Sequence, residues 1–240
     1  MGMKILAFVL AGGEGTRLRP LTARIPKPAL PFAGRRIIDF ALSNLVNSGI
    51  DSIYVVAQYK RQAILEHVQS VWSPMLLAAG GFAAVLLPEA GPNAGFVGTA
   101  DSVYKNMALI ERHRPDLVAV FAADQVYRMD VAQMAAFHVS SGAAVTVAAL
   151  PMPSRLAKLF GGLVTDPDGR VENPEHGVAP LSTRDRNAYA SMDDYIFDPG
   201  TLLTLLAQAH RGGETDFTRD VLPRASRAHS LFAYDFSRNR

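Results

Sequence analysis

At 240 residues, 49% apolar and 19% charged, the chain is long enough for one globular domain with a sizeable core or two small ones, and its composition excludes disorder. Its 24 basic and 22 acidic residues leave a net charge of +2, and its densest basic runs are the pairs Arg35-Arg36 and Lys60-Arg61, too thin for a nucleic-acid arm or a polybasic membrane anchor. Without cysteine there is no disulfide framework, thiolate zinc site or cysteine nucleophile.

Lys4–Leu10 is a continuous apolar run, the pattern of a parallel strand covered on both faces. Its apolar part, Ile5–Ala11, is near the lower length limit for a signal peptide and leads straight into a glycine loop, so a soluble, uncleaved, cytoplasmic chain is expected. Ile37, Ile38, Ala41, Leu42, Leu45 and Val46 recur at helical spacing ahead of Gly49, which marks the stop. Ser52–Ala57 reads as a second buried strand, and Ile64, Leu65, Val68 and Val71 as a helical stripe. The uncharged stretch His67–Pro88 is broken by Pro74 and Gly80-Gly81, and reads as helix, turn and the strand Phe82–Leu87 rather than as a membrane span. Ala100, Val103, Tyr104, Met107 and Ile110 form a further stripe, Leu117–Ala122 a strand, Met134, Ala135, Phe137 and His138 a helix, and Ala144–Leu150 another strand.

Beyond Pro151 the rhythm changes. Asp166-Pro-Asp-Gly169 is a turn between two short strands, and Ala179–Ala188 a polar, basic, mobile loop. A helix around Leu202–Ala209 and a strand around Leu231–Phe236 close the chain. The alternation gives an α/β fold: an open, mostly parallel, doubly wound sheet in one domain.

The segment after the first strand, Leu10-Ala-Gly-Gly-Glu-Gly-Thr-Arg-Leu18, carries the most chemistry. Its glycines let the backbone approach a ligand and turn N–H groups toward it, and ligands of open α/β sheets bind beyond the carboxyl ends of the strands. Arg17 adds a permanent charge suited to phosphate oxygens. The spacing is neither Gly-x-Gly-x-x-Gly nor a P-loop. In Ile25-Pro-Lys-Pro-Ala29 the flanking prolines fix the backbone around Lys27, which read alone is a solvated lysine in a stiff loop. Asp124 follows the apolar strand Leu117–Ala122, where a carboxylate suits Mg²⁺ or caps a turn. Asp216 reads equally as a metal ligand or as the N-cap of a short helix running to Leu222. His113 and His138 receive no role, and Trp72 packs.

Ala-Gly-Gly-x-Gly-Thr-Arg-Leu at 11–18, Pro-Lys-Pro-Ala at 26–29 and Arg-Ile-Ile-Asp-Phe-Ala-Leu-Ser-Asn at 36–44 resemble bacterial ADP-glucose pyrophosphorylases (glucose-1-phosphate adenylyltransferases). Val46-Asn-Ser-Gly-Ile50, Gln58-Tyr-Lys60, Gly98-Thr-Ala-Asp101, Arg112-His-Arg-Pro115, Tyr127-Arg-Met-Asp130, Ala190-Ser-Met192, Asp216-Phe and Asp220 continue the likeness in order. The resemblance implies the Rossmann-like fold of nucleotide-diphospho-sugar transferases, with a small mixed extension on the substrate side. One domain over 1–240 is expected, with a nucleotide half (1–150), a sugar half (151–240) and without the C-terminal β-helix domain that the family carries. The implied reaction joins ATP and glucose 1-phosphate, or a related sugar 1-phosphate, to an ADP-sugar and pyrophosphate, as in glycogen synthesis. Arg17, Lys27 and Asp124 would be catalytic. Leu10, Ala11, Gly12, Gly13, Gly15, Thr16, Gln58, Gly98 and Thr99 would bind nucleotide, Glu172, Asn173 and Ser191 the sugar phosphate, and Asp124 and Asp216 Mg²⁺. Implied partners are ATP and a sugar 1-phosphate, with neither nucleic acid nor membrane. The chain would act as a homo-oligomer or beside a full-length pyrophosphorylase.

Departures from the family pattern fall on the substrate side. Ala123-Asp124-Gln125 stands for Gly-Asp-His, and Asn173 for a lysine that grips the sugar phosphate, a charge-assisted contact of about 1.5–3 kcal/mol. Asp193 replaces a glycine, Glu14 stands where a basic residue is common, and the loop 89–97 is shorter. These changes leave two alternatives to the main reading: a non-catalytic, nucleotide-binding regulatory paralogue, or a transferase for another phosphate in which Asp193-Asp194 reads extra hydroxyls or an amine.

Overall fold

The apolar run after Lys4 becomes β1 (Ile5–Leu10) in the computed structural model, which describes residues 2–89, 95–157, 162–171 and 188–239. There follow the hairpin β2 (Pro31–Phe32) and β3 (Arg35–Arg36), α1 (Ile37–Asn47), β4 (Ser52–Val56), α2 (Gln62–His67), a π turn over Val68–Trp72, α3 (Ser73–Ala78) and β5 (Phe82–Leu86). The middle of the chain forms α4 (Thr99–Tyr104), α5 (Met107–His113), β6 (Leu117–Ala122), α6 (Val131–Ser140), β7 (Val145–Pro151), α7 (Ser154–Ala157) and β8 (Gly162–Val164). Last come β9 (Ala188–Phe197), α8 (Pro199–Arg211), a second π turn over Phe217–Val221, α9 (Leu222–Ala228) and β10 (Leu231–Asp235).

The main sheet has the order β10-β7-β9-β6-β1-β4-β5, with β8 paired to β9. β1 lies parallel to both β4 and β6, as its unbroken apolar sequence requires. Successive β1 side chains enter opposite cores: Ile5, Ala7 and Val9 meet α1 (Ile38, Leu42, Leu45) and α6 (Val131, Met134), whereas Leu6 and Phe8 share the other core with Val103 of α4, Ile110 of α5 and Leu205 of α8. Helices thus cover both faces, and the fold is the expected α/β, doubly wound one. Among the described residues no helix is long and apolar enough to cross a membrane.

β9 is the strand that composition hid. It runs antiparallel between β6 and β7, so the sheet is mixed where the second half of the chain joins it. Val147 pairs with Tyr195 and Ala149 with Ser191, so β9 spends four residues where β7 spends two, and the excess forms a bulge in which Asp193 adopts φ 58°. Two other elements differ from the periodicity reading. Pro74 does not break its helix, because it lies in the first turn of α3, where no intrahelical N–H is needed, directly after the π turn. The stripe Ala100–Ile110 is two helices, α4 and α5, and Asn106 at the join donates its side-chain N–H to Ser102 O (2.8 Å). The Asp166–Gly169 turn forms as expected, with Asp166 Oδ1 accepting from the N–H groups of Asp168 (3.0 Å) and Arg170 (2.9 Å). The proposed loop 179–188 lies outside the described residues up to Ala188, which opens β9.

Candidate active site

Because β1, β4 and β6 run parallel, their carboxyl ends share one edge of the sheet. Backbone bonds tie the exits together: Ala11 N–H to Val56 O (2.8 Å), Ala123 N–H to Leu10 O (3.1 Å) and Ala57 N–H to Leu86 O (3.0 Å). Above this edge opens a cleft of about 460 Å³. The glycine loop forms one wall with Leu10, Gly12, Gly13, Glu14 and Gly15; Lys27 and Gln58 flank it, and Phe96 to Thr99, Asp124, Asp193, Tyr195 and Asp216 to Thr218 complete it.

Among the described residues, none of the N–H groups of Gly12, Gly13, Glu14 and Gly15 meets an acceptor. They form an unspent donor array suited to an anion. Gly15 is required twice over: its φ is 62°, and a Cβ there would sit 3.1 Å from both Lys27 Cβ and Thr22 Cγ2. Thr22 Oγ1 donates to Gly15 O (2.8 Å) and fixes the end of the loop. Ala11 and Thr16 take no part in the lining. Ala11 is buried with its N–H spent on β4, and Thr16 is exposed in the 3-10 turn Thr16–Leu18. Arg17 sits in that same exposed turn, outside the cleft lining.

Lys27 and Asp124, 97 residues apart in sequence, meet in the cleft: Nζ lies 2.9 Å from Asp124 Oδ2, both side chains partly exposed (29% and 44%). The prolines around Lys27 form a 3-10 turn whose Pro28 and Ala29 are buried, so only the ammonium projects. Among the described residues Asp124 makes no capping bond, and its partner is the lysine. Asp216 fills the capping role that its sequence allows, Oδ1 accepting from Arg219 N–H (2.8 Å) at the π turn, while Oδ2 accepts from Thr99 Oγ1 (3.2 Å) at the cleft. Thr99 Oγ1 also accepts from Phe217 N–H (3.0 Å), which locks the two segments together. Gly98 is needed here for closeness rather than for its dihedral, since a Cβ would fall 2.4 Å from Thr215 O. Gln58 holds the backbone of Phe96 from both sides, Nε2 donating to Phe96 O (3.3 Å) and Oε1 accepting from its N–H.

The sequence singled out Ser191, Asp193 and Asp194, but not the contacts that hold them on β9. Asp193 Oδ1 accepts from Thr218 Oγ1 (2.7 Å) and Tyr195 Oη (2.9 Å), and Asp193 N–H donates to Ser191 Oγ (3.1 Å). Ser191 therefore braces the bulge and lies outside the cleft lining. The next residue, Asp194, is fully buried and bridges the Asp124 loop: Oδ1 accepts from Ala122 N–H (2.9 Å) and Oδ2 from Tyr127 Oη, while Gln125 Nε2 donates to Met192 O (2.7 Å). Burial, against the pull of the Tyr127 and Ala122 bonds and aided by the charges of Asp193 and Asp124, raises the Asp194 carboxyl to about 8. The doubled aspartate was the available signal, since one of two adjacent strand residues must face inward. Glu172 and Asn173 lie outside the described residues.

Asp39, His138 and His113 are held by bonds within the fold. Asp39 accepts from Trp72 Nε1 (2.8 Å) and Arg36 N–H (2.8 Å) and pairs with His67; burial pushes its carboxyl up, but these bonds outweigh it and the net shift is downward. His138 is buried between Thr146 (Nδ1 to Oγ1, 2.8 Å) and Asp198 (3.6 Å), and burial lowers its pKa. His113 bonds Tyr54 Oη (2.9 Å) and stacks on Phe82.

An open α/β sheet that gathers a glycine loop of free amides, a lysine and the carboxylates of Asp124 and Asp216 in one cleft at its strand exits is suited to phosphate groups. The model of the nucleotidyl transferase family matches residues 6–239, and the chain belongs to that family. It is similar to glucose-1-phosphate adenylyltransferases: that of Thermodesulfovibrio yellowstonii is 44% identical over 244 residues, covering 98% of this chain and 59% of that protein. The protein of that name from Thermus thermophilus is 42% identical over 253 residues (99% and 60%), and that from Paramagnetospirillum magneticum 42% over 243 (97% and 56%). The chain spans about three fifths of the length of these relatives.

Proposed function

We propose that the chain joins ATP and glucose 1-phosphate, or a related sugar 1-phosphate, to give an ADP-sugar and pyrophosphate. What carries this reading is the meeting, in one cleft, of the unspent glycine-loop amides with the Lys27–Asp124 pair and Asp216. The likeness to the named adenylyltransferases supports the choice of base and sugar.

In this reaction a phosphate oxygen of the sugar 1-phosphate attacks the α-phosphorus of ATP in line, and the bond to the β-phosphate oxygen breaks to release pyrophosphate. Two polyanions must meet, so the protein's work is to position them and offset their charge. The amides of Gly12, Gly13 and Gly15 cradle the triphosphate. Gln58 and the backbone at Gly98, both at the cleft wall with Phe96, hold the base. Lys27, exchanging Asp124 for phosphate, offsets charge on the departing pyrophosphate. Arg17, in the exposed turn directly after the glycine loop, is assigned to the phosphates on the family likeness.

Asp124 and Asp216 suit a divalent ion. They would hold Mg²⁺ together with nucleotide phosphates and water, since Mg²⁺ usually takes only one or two carboxylates from the protein. When bound, Mg²⁺ would neutralise the phosphate oxygens and favour attack at the α-phosphorus. We assign Ser191 to bracing the sugar-side strand, and leave contact with the sugar phosphate to Glu172 and Asn173.

The test is to incubate the protein with ATP, Mg²⁺ and glucose 1-phosphate, together with other sugar 1-phosphates, and follow pyrophosphate. Release that depends on a sugar 1-phosphate and is lost in Asp124→Asn supports the function. Binding of ATP without release for any sugar would replace it with the regulatory-paralogue reading.

A further inference from the structure

Asp193 satisfies the hydroxyl of the buried Tyr195 with only one of its two carboxylate oxygens. It stands at the cleft on the bulge of β9, at φ 58°, a conformation rare for side-chain-bearing residues although aspartate is among those that tolerate it. One oxygen is fixed by Thr218 Oγ1 (2.7 Å) and Tyr195 Oη (2.9 Å), with Ser191 Oγ further off at 3.5 Å. Among the described residues no donor reaches the other oxygen, Oδ2. The carboxylate is thus rigid and half spent.

Its electrostatic setting selects what can use it. The cleft is lined by the carboxylates of Glu14, Asp124, Asp193 and Asp216 and by the ammonium of Lys27, which is already paired with Asp124. A fourth carboxylate facing an anionic acceptor is a repulsive element unless the acceptor brings positive charge to it. The divalent ion of the proposed reaction is assigned to Asp124 and Asp216 with the nucleotide phosphates, which leaves the charge of Asp193 unanswered. A neutral hydroxyl would use the lone pair but leave the charge unopposed, whereas an ammonium group satisfies both.

We propose that Asp193 is a specificity-determining residue whose free carboxylate oxygen, held at the cleft by Thr218 and Tyr195, selects an amino-sugar 1-phosphate over its neutral counterpart. This inference rests on the nucleotidyltransferase reading of the same cleft.

The experiment compares glucosamine 1-phosphate with glucose 1-phosphate, by calorimetry in the presence of α,β-methylene-ATP and Mg²⁺, and by pyrophosphate release with ATP. The proteins are the full chain and its Asp193→Asn and Asp193→Gly variants. Both replacements tolerate the positive φ, and asparagine keeps an acceptor for Thr218 and Tyr195 while removing the charge. The expected result is that the amino sugar binds about tenfold or more tightly in the parent chain, and that the two sugars fall within about twofold of each other in both variants. Equal affinity in the parent chain, or a preference that survives Asp193→Asn, overturns the role of Asp193 while pyrophosphate release leaves the function standing. Binding of neither sugar phosphate, with no pyrophosphate from any, overturns both.

Discussion

Lys27 and Asp124 are both partly exposed, so their ion pair contributes less than about 1 kcal/mol to stability and is kept for what it does to phosphate. Lys27→Ala is expected to shift the unfolding midpoint by no more than about 2–4 °C while lowering pyrophosphate release by about 10²–10³-fold, as loss of a charge-stabilising group does. Paired thermal scans and initial rates check this, and equal activity in the variant would remove Lys27 from the mechanism. Asp194 makes the opposite kind of prediction. Its carboxyl, raised mainly by burial to about 8, keeps in the folded chain a proton that the unfolded chain releases above about 4. The folded state therefore binds more protons between those values, and this group's contribution to stability falls as pH rises from about 4 to about 8. Asp194→Asn, which keeps an acceptor for Ala122 N–H, should show a flatter decline across that range than the parent chain in denaturant titrations at pH 5 and pH 8. Neither partner of Asp194 could be read from the sequence, because Ala122 and Tyr127 lie about 70 residues away and meet it only through the β6–β9 pairing.

At the level of elements, loop geometry decides more than helix propensity. Gly98→Ala would place a methyl 2.4 Å from Thr215 O, and relief must come from moving the backbone that carries Asp216. We expect a loss of about 1–3 kcal/mol in stability together with a raised Mg²⁺ requirement for ATP binding, measurable by denaturant melts and metal titration; unchanged values for both would show that the two segments are not coupled. Asp130 caps α6 by accepting from Ala132 N–H (2.9 Å) and Gln133 N–H (3.3 Å), so Asp130→Ala should cost about 1 kcal/mol without touching the cleft. Strands β1, β4, β5, β6 and β7 and helices α1, α6 and α8 were legible because continuous apolar runs and helical stripes are set by burial on both faces of a parallel sheet. β9 was not, since its inward residues include Asp194 and its period is broken by the bulge, so hydrophobic patterning carries no signal there. The π turn that admits Pro74 was hidden for a similar reason: one extra residue per turn leaves no trace in composition.

Across the whole molecule, the sheet order places β1, β4 and β6 side by side, so segments far apart in sequence reach one edge. That is why the glycine loop, Gln58 and Asp124, drawn together from motifs, line one cleft, whereas Arg17 and Thr16 lie outside its lining in an exposed turn and Ser191 braces the bulge of β9. The family membership spans almost the entire chain, and the site-bearing edge lies within it. The account stands on the claim that this edge receives a nucleoside triphosphate together with a divalent ion. Calorimetric titration of ATP into the full chain, with and without Mg²⁺, tests it most directly. Saturable binding of one ATP per chain, strengthened by Mg²⁺ and weakened about tenfold or more when Asp124 is changed to Asn, is the predicted result. No heat of binding in either condition, or binding indifferent both to Mg²⁺ and to the Asp124 change, would contradict it.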